Sequence, residues 1–176
     1  MTLIRRFFSA LLLAALLCGG ARAAELPGLV RLQVVAESDD AAAQALKLEL
    51  RDVCLRAAEV CLSDAPDADA AYARLIDHRD DFEAACISRA RELGCEAEVR
   101  AEVGTFDFPD RVYGKLFVPA GEYRALRVTI GAGEGHNWWC VLYPSLCVLN
   151  ETDAAGEPDA QGILGWLKAR WGGDVA

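Results

Sequence analysis

Basic residues are scarce in this chain. Lys and Arg together number 18 against 27 Asp and Glu, a net charge of −9 at neutral pH. Nucleic-acid binding rests on neutralising phosphates, so this balance makes nucleic acid a poor partner. An anionic lipid surface is disfavoured for the same reason. The excess acid is read as a solubility feature. Histidine is nearly absent, with only His78 and His136 in 176 residues. His78 falls on a charge-rich helical face and is expected to be solvated. His136 stands near Cys140 and Cys147, but three soft ligands at that spacing match no standard zinc module. A Cys–His nucleophile pair would need a free thiol there. No G-x-S-x-G elbow and no Asp-Thr-Gly or Asp-Ser-Gly signature occurs. After residue 23 there is no apolar run approaching the about 20 residues of a membrane span.

What is present begins with an export signal. Residues 1–23 have a charged start at Arg5 and Arg6, an apolar run over 7–17, and the small-x-small site Ala21-Arg22-Ala23. That is the pattern of a cleaved signal peptide, with Ala24 as the mature N-terminus. Leu17 before Cys18 argues against lipidation, and an uncleaved anchor is the alternative. The remaining chain is one ordinary domain, able to bury its own core. It keeps Cys54, Cys61, Cys86, Cys95, Cys140 and Cys147. An even number of cysteines in an exported chain invites disulfides. If Cys54 and Cys61 share a helix they lie about 10 Å apart along it, too far to bridge. Cys140 and Cys147 flank a Pro-containing segment and could meet. Buried free thiols are the open alternative for the other four.

The elements follow from periodicity. Residues 29–37 (LVRLQVVAE) are β-rich and predict a first strand. Ser38-Asp39-Asp40 supplies side-chain oxygens for a helix start. Leu46, Leu50, Val53, Ala57 and Val60 then form one helical stripe. Residues 63–69 predict a turn. A second helix is expected over 70–93, with Tyr72, Leu75, Phe82, Cys86, Ala90 and Leu93 on one face and Gly94 as its stop. Residues 95–105 alternate apolar and charged, which predicts a half-wet strand. Residues 112–118 predict a third strand or extended segment, and 123–130 a last strand with Leu126, Val128 and Ile130 on its buried face. An acidic loop over 151–159 leads to a short helix over 161–171, which would dock on the domain or offer an aromatic surface. The layout predicts an α+β, two-layer domain over 24–150. A helical hairpin packs on a mostly antiparallel sheet of three to four strands. Residues 151–176 form an acidic loop and a short C-terminal helix.

The unusual stretch is 131–147, GAGEGHNWWCVLYPSLC. Its composition suits no simple helix or strand, so it is expected to be a loop, and loops with such costly residues are usually functional. Gly131, Gly133 and Gly135 are spaced G-x-G-x-G, not G-x-G-x-x-G, and no P-loop Lys follows. Their expected role is a positive-φ conformation or a close backbone approach. Trp138 and Trp139 point oppositely if the segment is extended. They either fill and cover the core or form a recognition patch, since Trp is enriched where partners bury surface.

Three blocks carry a family resemblance: LVRLQVVAESDDAAAQALKLELRD (29–52), VYGKLFVPAGEYRALRVTIG (112–131) and GEGHNWWCVLYPSLC (133–147). The chain resembles the stage II sporulation protein R family of endospore-forming bacteria. The resemblance implies a signalling protein and not an enzyme, with no cofactor or small-molecule substrate. It implies export from the forespore into the space between the forespore and mother-cell membranes. There it would activate a membrane-embedded aspartic protease of the mother cell, which removes the pro-sequence of the sigma-E factor. The receptor contact is then expected in the loop, at His136, Asn137, Trp138, Trp139 and Tyr143, with Cys140 and Cys147 as its clamp. The rival reading is an exported thiol-dependent or other hydrolase of the cell-wall space. A purely structural envelope protein is a third.

Overall fold

A computed structural model describes residues 28–113 and 116–144. The expected signal peptide, the acidic loop, the C-terminal helix and Cys147 lie outside the described residues. Among the described residues one strand is followed by three helices and then five strands: β1 (Val30–Val35), α1 (Ala41–Cys61), α2 (Ala68–Asp77), α3 (Arg79–Glu92), β2 (Val99–Phe108), β3 (Arg111–Tyr113), β4 (Leu116–Val118), β5 (Gly121–Ile130) and β6 (Asn137–Tyr143). Four strands form one sheet in the order β2-β5-β1-β6. β2 and β6 run antiparallel to their neighbours, and the inner β1–β5 pair is parallel. The expected two-layer α+β domain with a mostly antiparallel sheet is therefore the fold observed.

Local chemistry accounts for the helix ends. The Asp40 side chain accepts from the backbone N–H groups of Ala42 and Ala43, which opens α1. Asp67 does the same for α2 through Ala70. Gly94 stops α3 with φ +75°, and the Cys95 N–H returns to the Ala90 carbonyl. The single helix expected over 70–93 is two helices. The backbone leaves the helical region at His78 (φ −102°, ψ 11°), whose Nδ1 sits 2.8 Å from the Asp81 carboxylate. The apolar spacing runs on across the break, from Leu75 to Phe82, so periodicity does not reveal it.

Three strand expectations change. The strand placed at 95–105 is Val99–Phe108, displaced toward the C-terminus. The strand placed at 112–118 is a separate two-stranded hairpin, β3–β4, outside the main sheet. The loop placed at 131–147 contains a true strand, β6, paired to β1 along its length. Its aromatic and β-branched residues favour a pleated surface, and that preference outweighs the glycines before it. Among the described residues no helix is long and apolar enough to cross a membrane.

Strand parity divides the interior in two. Val30, Leu32 and Val34 of β1 point toward the helices and join Leu126, Val128 and Ile130 of β5. Leu50, Cys54, Leu75, Phe82 and Cys86 close this main core from above. On the opposite face the β3–β4 hairpin covers a smaller cluster of Leu29, Phe108, Val118, Tyr123, Ala125 and Val141. Arg31 lies on this face, fully buried at 0 % exposure. Its guanidinium stacks 4.1 Å from the Phe108 ring centroid and 4.9 Å from that of Tyr123. Nη2 donates to the Tyr113 hydroxyl at 2.9 Å, while Nε and Nη1 have no protein partner. Burial lowers its pKa, and Tyr113 partly opposes that. No carboxylate neutralises Arg31 among the described residues, so its stem and flat face supply much of its packing.

A buried charge without a counter-charge contributes little net stability, whereas its volume matters. Arg31→Met should therefore change unfolding free energy by no more than about 1 kcal/mol, or raise it. Arg31→Ala should cost about 2–4 kcal/mol through the cavity left under the hairpin. Urea denaturation of the two variants checks this. A larger loss in the Met variant would show that the charge itself is required.

Candidate functional site

The unusual stretch begins as a glycine corner. Gly131 (φ +55°) and Gly133 (φ +69°) occupy left-handed backbone that side chains rarely adopt. The Gly131 N–H reaches the Glu98 carbonyl at 2.7 Å, and the Gly133 N–H reaches Ile130 at 3.1 Å. The turn then folds against the end of β1. The Glu134 N–H bonds the Glu37 carbonyl at 3.1 Å, and the Gly135 N–H bonds Ala36 at 2.9 Å. Gly135 has no room for a side chain, since a Cβ would collide with the Ser38 backbone carbonyl. The spacing reading was right about why glycine is needed, and the three positions serve turn geometry and close approach.

His136 follows at the corner's outer side. Its backbone N–H donates to the Asp39 carboxylate at 2.6 Å, and its Nδ1 meets the same oxygen. These bonds, the backbone one foremost, hold Asp39 below the usual carboxylate range. Lys47 is buried and reaches the His136 carbonyl with Nζ at 3.1 Å. Burial lowers its pKa, while Asp39 raises it. Gln44 completes the link by donating to the Ser38 carbonyl at 2.9 Å. The start of β6, the end of β1 and the first turns of α1 are thus tied by one polar network.

β6 then carries the two tryptophans to opposite faces. Trp138 packs against the main core, half-buried, with the Arg51 guanidinium 4.6 Å from its ring centroid. Its indole nitrogen is buried and has no protein partner. Trp139 packs against the smaller cluster, with Phe108 edge-on at 4.9 Å and Arg111 at 5.9 Å. The Tyr113 hydroxyl donates to the Trp139 carbonyl at 3.3 Å. The expected opposite orientation is present, yet neither ring is free, because both faces of β6 are covered. Asn137 is half-buried with Oδ1 unpartnered, and Tyr143 is buried. His136 is the exposed member of the expected set.

The two edges of the sheet differ. At the outer edge of β2, the Ala101 carbonyl accepts from Arg79 Nη1 at 3.1 Å and its N–H donates to Glu83 at 2.8 Å. Side chains of α3 therefore occupy that edge. β6 is the opposite edge among the described strands, and its sequence NWWCVLY carries no charge to guard it. Beside β6, the face left open by the hairpin forms a polar depression of about 620 Å³ lined by Gln33, Arg100, Glu102, Arg127, Thr129 and Asn137.

Chemistry at the corner is sparse. His136 directs Nδ1 to Asp39, and Cys140 is buried at 2 % exposure on the core side. Cys140 is not among the free thiols, and its expected partner Cys147 lies outside the described residues. Sequence reasoning missed Asp39, Lys47, Arg51 and Arg31 as partners of this region. The polar residues at every second position of LVRLQVV were the available signal for a second, covered face.

The family model for stage II sporulation protein R matches residues 27–153, which include every described residue of the corner and β6. This chain belongs to that family. It is also similar to stage II sporulation protein R of Bacillus subtilis (strain 168), 31% identical over 121 residues. That match covers 69% of this chain and 54% of the relative, so the chain spans about half the length of the curated relative. No solved structure gives a significant match.

Gly135→Ala tests the corner. The added methyl meets backbone that cannot rotate away, so the expected loss is about 2–3 kcal/mol, within the range of overpacked sites. Gly94→Ala meets no atom within 4 Å and carries only the penalty of its φ. Its expected loss is about 1 kcal/mol. Thermal unfolding of the two variants checks the order, and equal losses would refute the close-approach role of Gly135.

Proposed function

We propose that this protein is the exported signal that activates a membrane-embedded aspartic protease of the mother cell and so starts pro-sigma-E processing. Membership in the stage II sporulation protein R family carries the reading. The charged, apolar and small-x-small pattern of residues 1–23 supports export into the space between the two membranes. The mechanism proposed is differential binding. The signal binds the active state of the protease better than the inactive one, and the population shifts accordingly.

The contact is placed at β6 and its corner. The proposed contact residues are His136, Asn137, Trp138, Trp139 and Tyr143, with the Cys140–Cys147 bridge as the clamp behind them. The apolar, uncharged edge of β6 suits a strand added by the receptor, where main-chain hydrogen bonds supply affinity. The thiol-dependent hydrolase alternative needs a free thiol beside His136, and Cys140 is buried on the core side and not among the free thiols.

Deleting the gene in its host should leave pro-sigma-E unprocessed, as read by immunoblot. Normal processing would refute the proposal. Trp138→Ala and Trp139→Ala should each lower processing at least about tenfold, the range of an interface hot spot. Both rings also pack inside the fold, so each variant needs a partner of matched stability. Leu75→Ala, a core truncation beneath the helices, serves as that control. Equal loss of processing in all three would make the tryptophans scaffold and not contact.

A further inference from the structure

Two cysteines outside the corner face one another in the main core. Cys54 of α1 and Cys86 of α3 are both fully buried, with Sγ atoms 3.5 Å apart. The helices carrying them lie side by side, and Arg89 of α3 also reaches Glu49 of α1 at 2.8 Å. The other two free thiols do not meet: Cys61 turns to the Arg74 carbonyl, and Cys95 accepts from the Ala97 N–H. We propose that Cys54 and Cys86 are an oxidation site, closing to a disulfide that staples α1 to α3.

The two sulfur atoms are already in contact at 3.5 Å, and a disulfide brings them to about 2.05 Å. The oxidant is a small-molecule or protein disulfide met outside the cytoplasm. A thiolate from one cysteine attacks the oxidant's disulfide and expels one thiolate. The second cysteine attacks the mixed disulfide and expels the other. Both cysteines lose a proton and one electron, and the oxidant leaves as two thiols.

Timing follows from burial. The Cys86 thiol and the surrounding core hold Cys54 well above the ordinary thiol range. The folded core offers almost no thiolate, and thiolate is the reacting form. The bond therefore closes while the chain folds, before the helices pack over the sheet. A chain folded in a reducing compartment keeps both thiols, and one folded after export is stapled. The thiol geometry carries this inference, and the export reading enters only as the place where the oxidant is met.

The test is done on the full chain in vitro, so its failure is separable from failure of the export reading. The chain is refolded from denaturant in a buffer of oxidised and reduced glutathione, quenched with alkylating agent and digested without reductant. The expected product is a linked peptide pair containing Cys54 and Cys86, about 2 Da lighter than the two thiol peptides together. Cys61 and Cys95 should be alkylated. Recovery of Cys54 and Cys86 as alkylated thiols from correctly refolded chain would overturn the proposal. A second measurement uses the double variant Cys54→Ala/Cys86→Ala. Under oxidising conditions it should melt on the order of 10 °C below the unaltered chain. With reductant present that gap should shrink. A gap of the same size in both buffers would mean that the pair acts by packing alone.

Discussion

The structure depends on the complete burial of β1. All six of its residues are buried, and both of its edges are paired. A strand in that position has no tolerance for slippage, because a one-residue shift exchanges its faces. Such a shift would drive Arg31 and Gln33 into the helical core and expel Leu32 and Val34. Arg31 makes the penalty largest. Its place between Phe108, Tyr123 and the Tyr113 hydroxyl exists on one face only. A buried cation in an apolar strand is a weak source of stability. Here it serves better as a register mark, a role for which buried polar groups are better suited.

From β1 the corner and β6 inherit their positions. The glycine turn is bonded to Ala36 and Glu37, the residues that follow β1. Two adjacent acids then divide the labour. Asp40 caps α1, and Asp39 holds the backbone and ring of His136. Helix start and strand start are thereby locked to one another across 97 positions of chain. Lys47 adds a third tie from inside α1. The register of β6 against β1 then decides which tryptophan meets the helices and which meets the hairpin.

Much of this was legible in the sequence. The helical period of α1, the Gly94 stop and the alternation around Val99–Val103 gave helices over a half-wet sheet, although the buried face of α1 runs through Leu46, Leu50, Cys54 and Ala58 and leaves Val60 of the expected stripe exposed. What was not legible has physical reasons. The break at His78 leaves the apolar spacing intact, so no pattern marks it. The edge strand was hidden by its neighbours, since three glycines before it and a proline and a cysteine after it outweighed NWWCVLY to the eye. Tertiary pairing with β1 overrode that local impression. The facing of Cys54 and Cys86 depends on how two helices lie, which spacing alone does not specify. The network at the corner joins residues 39, 47 and 136, and no local pattern connects them.

The partial burial of both tryptophans changes what β6 can offer a partner. A recognition patch built of free indole rings would need side chains that leave the fold, and these do not. Trp138 lies under Arg51 and Trp139 against Phe108. What faces outward at the proposed contact is the main chain of an edge strand, the rims of the two rings and the exposed His136. Main-chain pairing is directional and demands a straight, fixed edge. The corner supplies that fixity, because Asp39 and Lys47 hold His136, the residue just before the strand, and Gly135 packs against the Ser38 backbone. The glycines and the tryptophans therefore belong to one device. The first set the strand's origin, and the second anchor its two faces, so that the backbone between them stays presented for pairing.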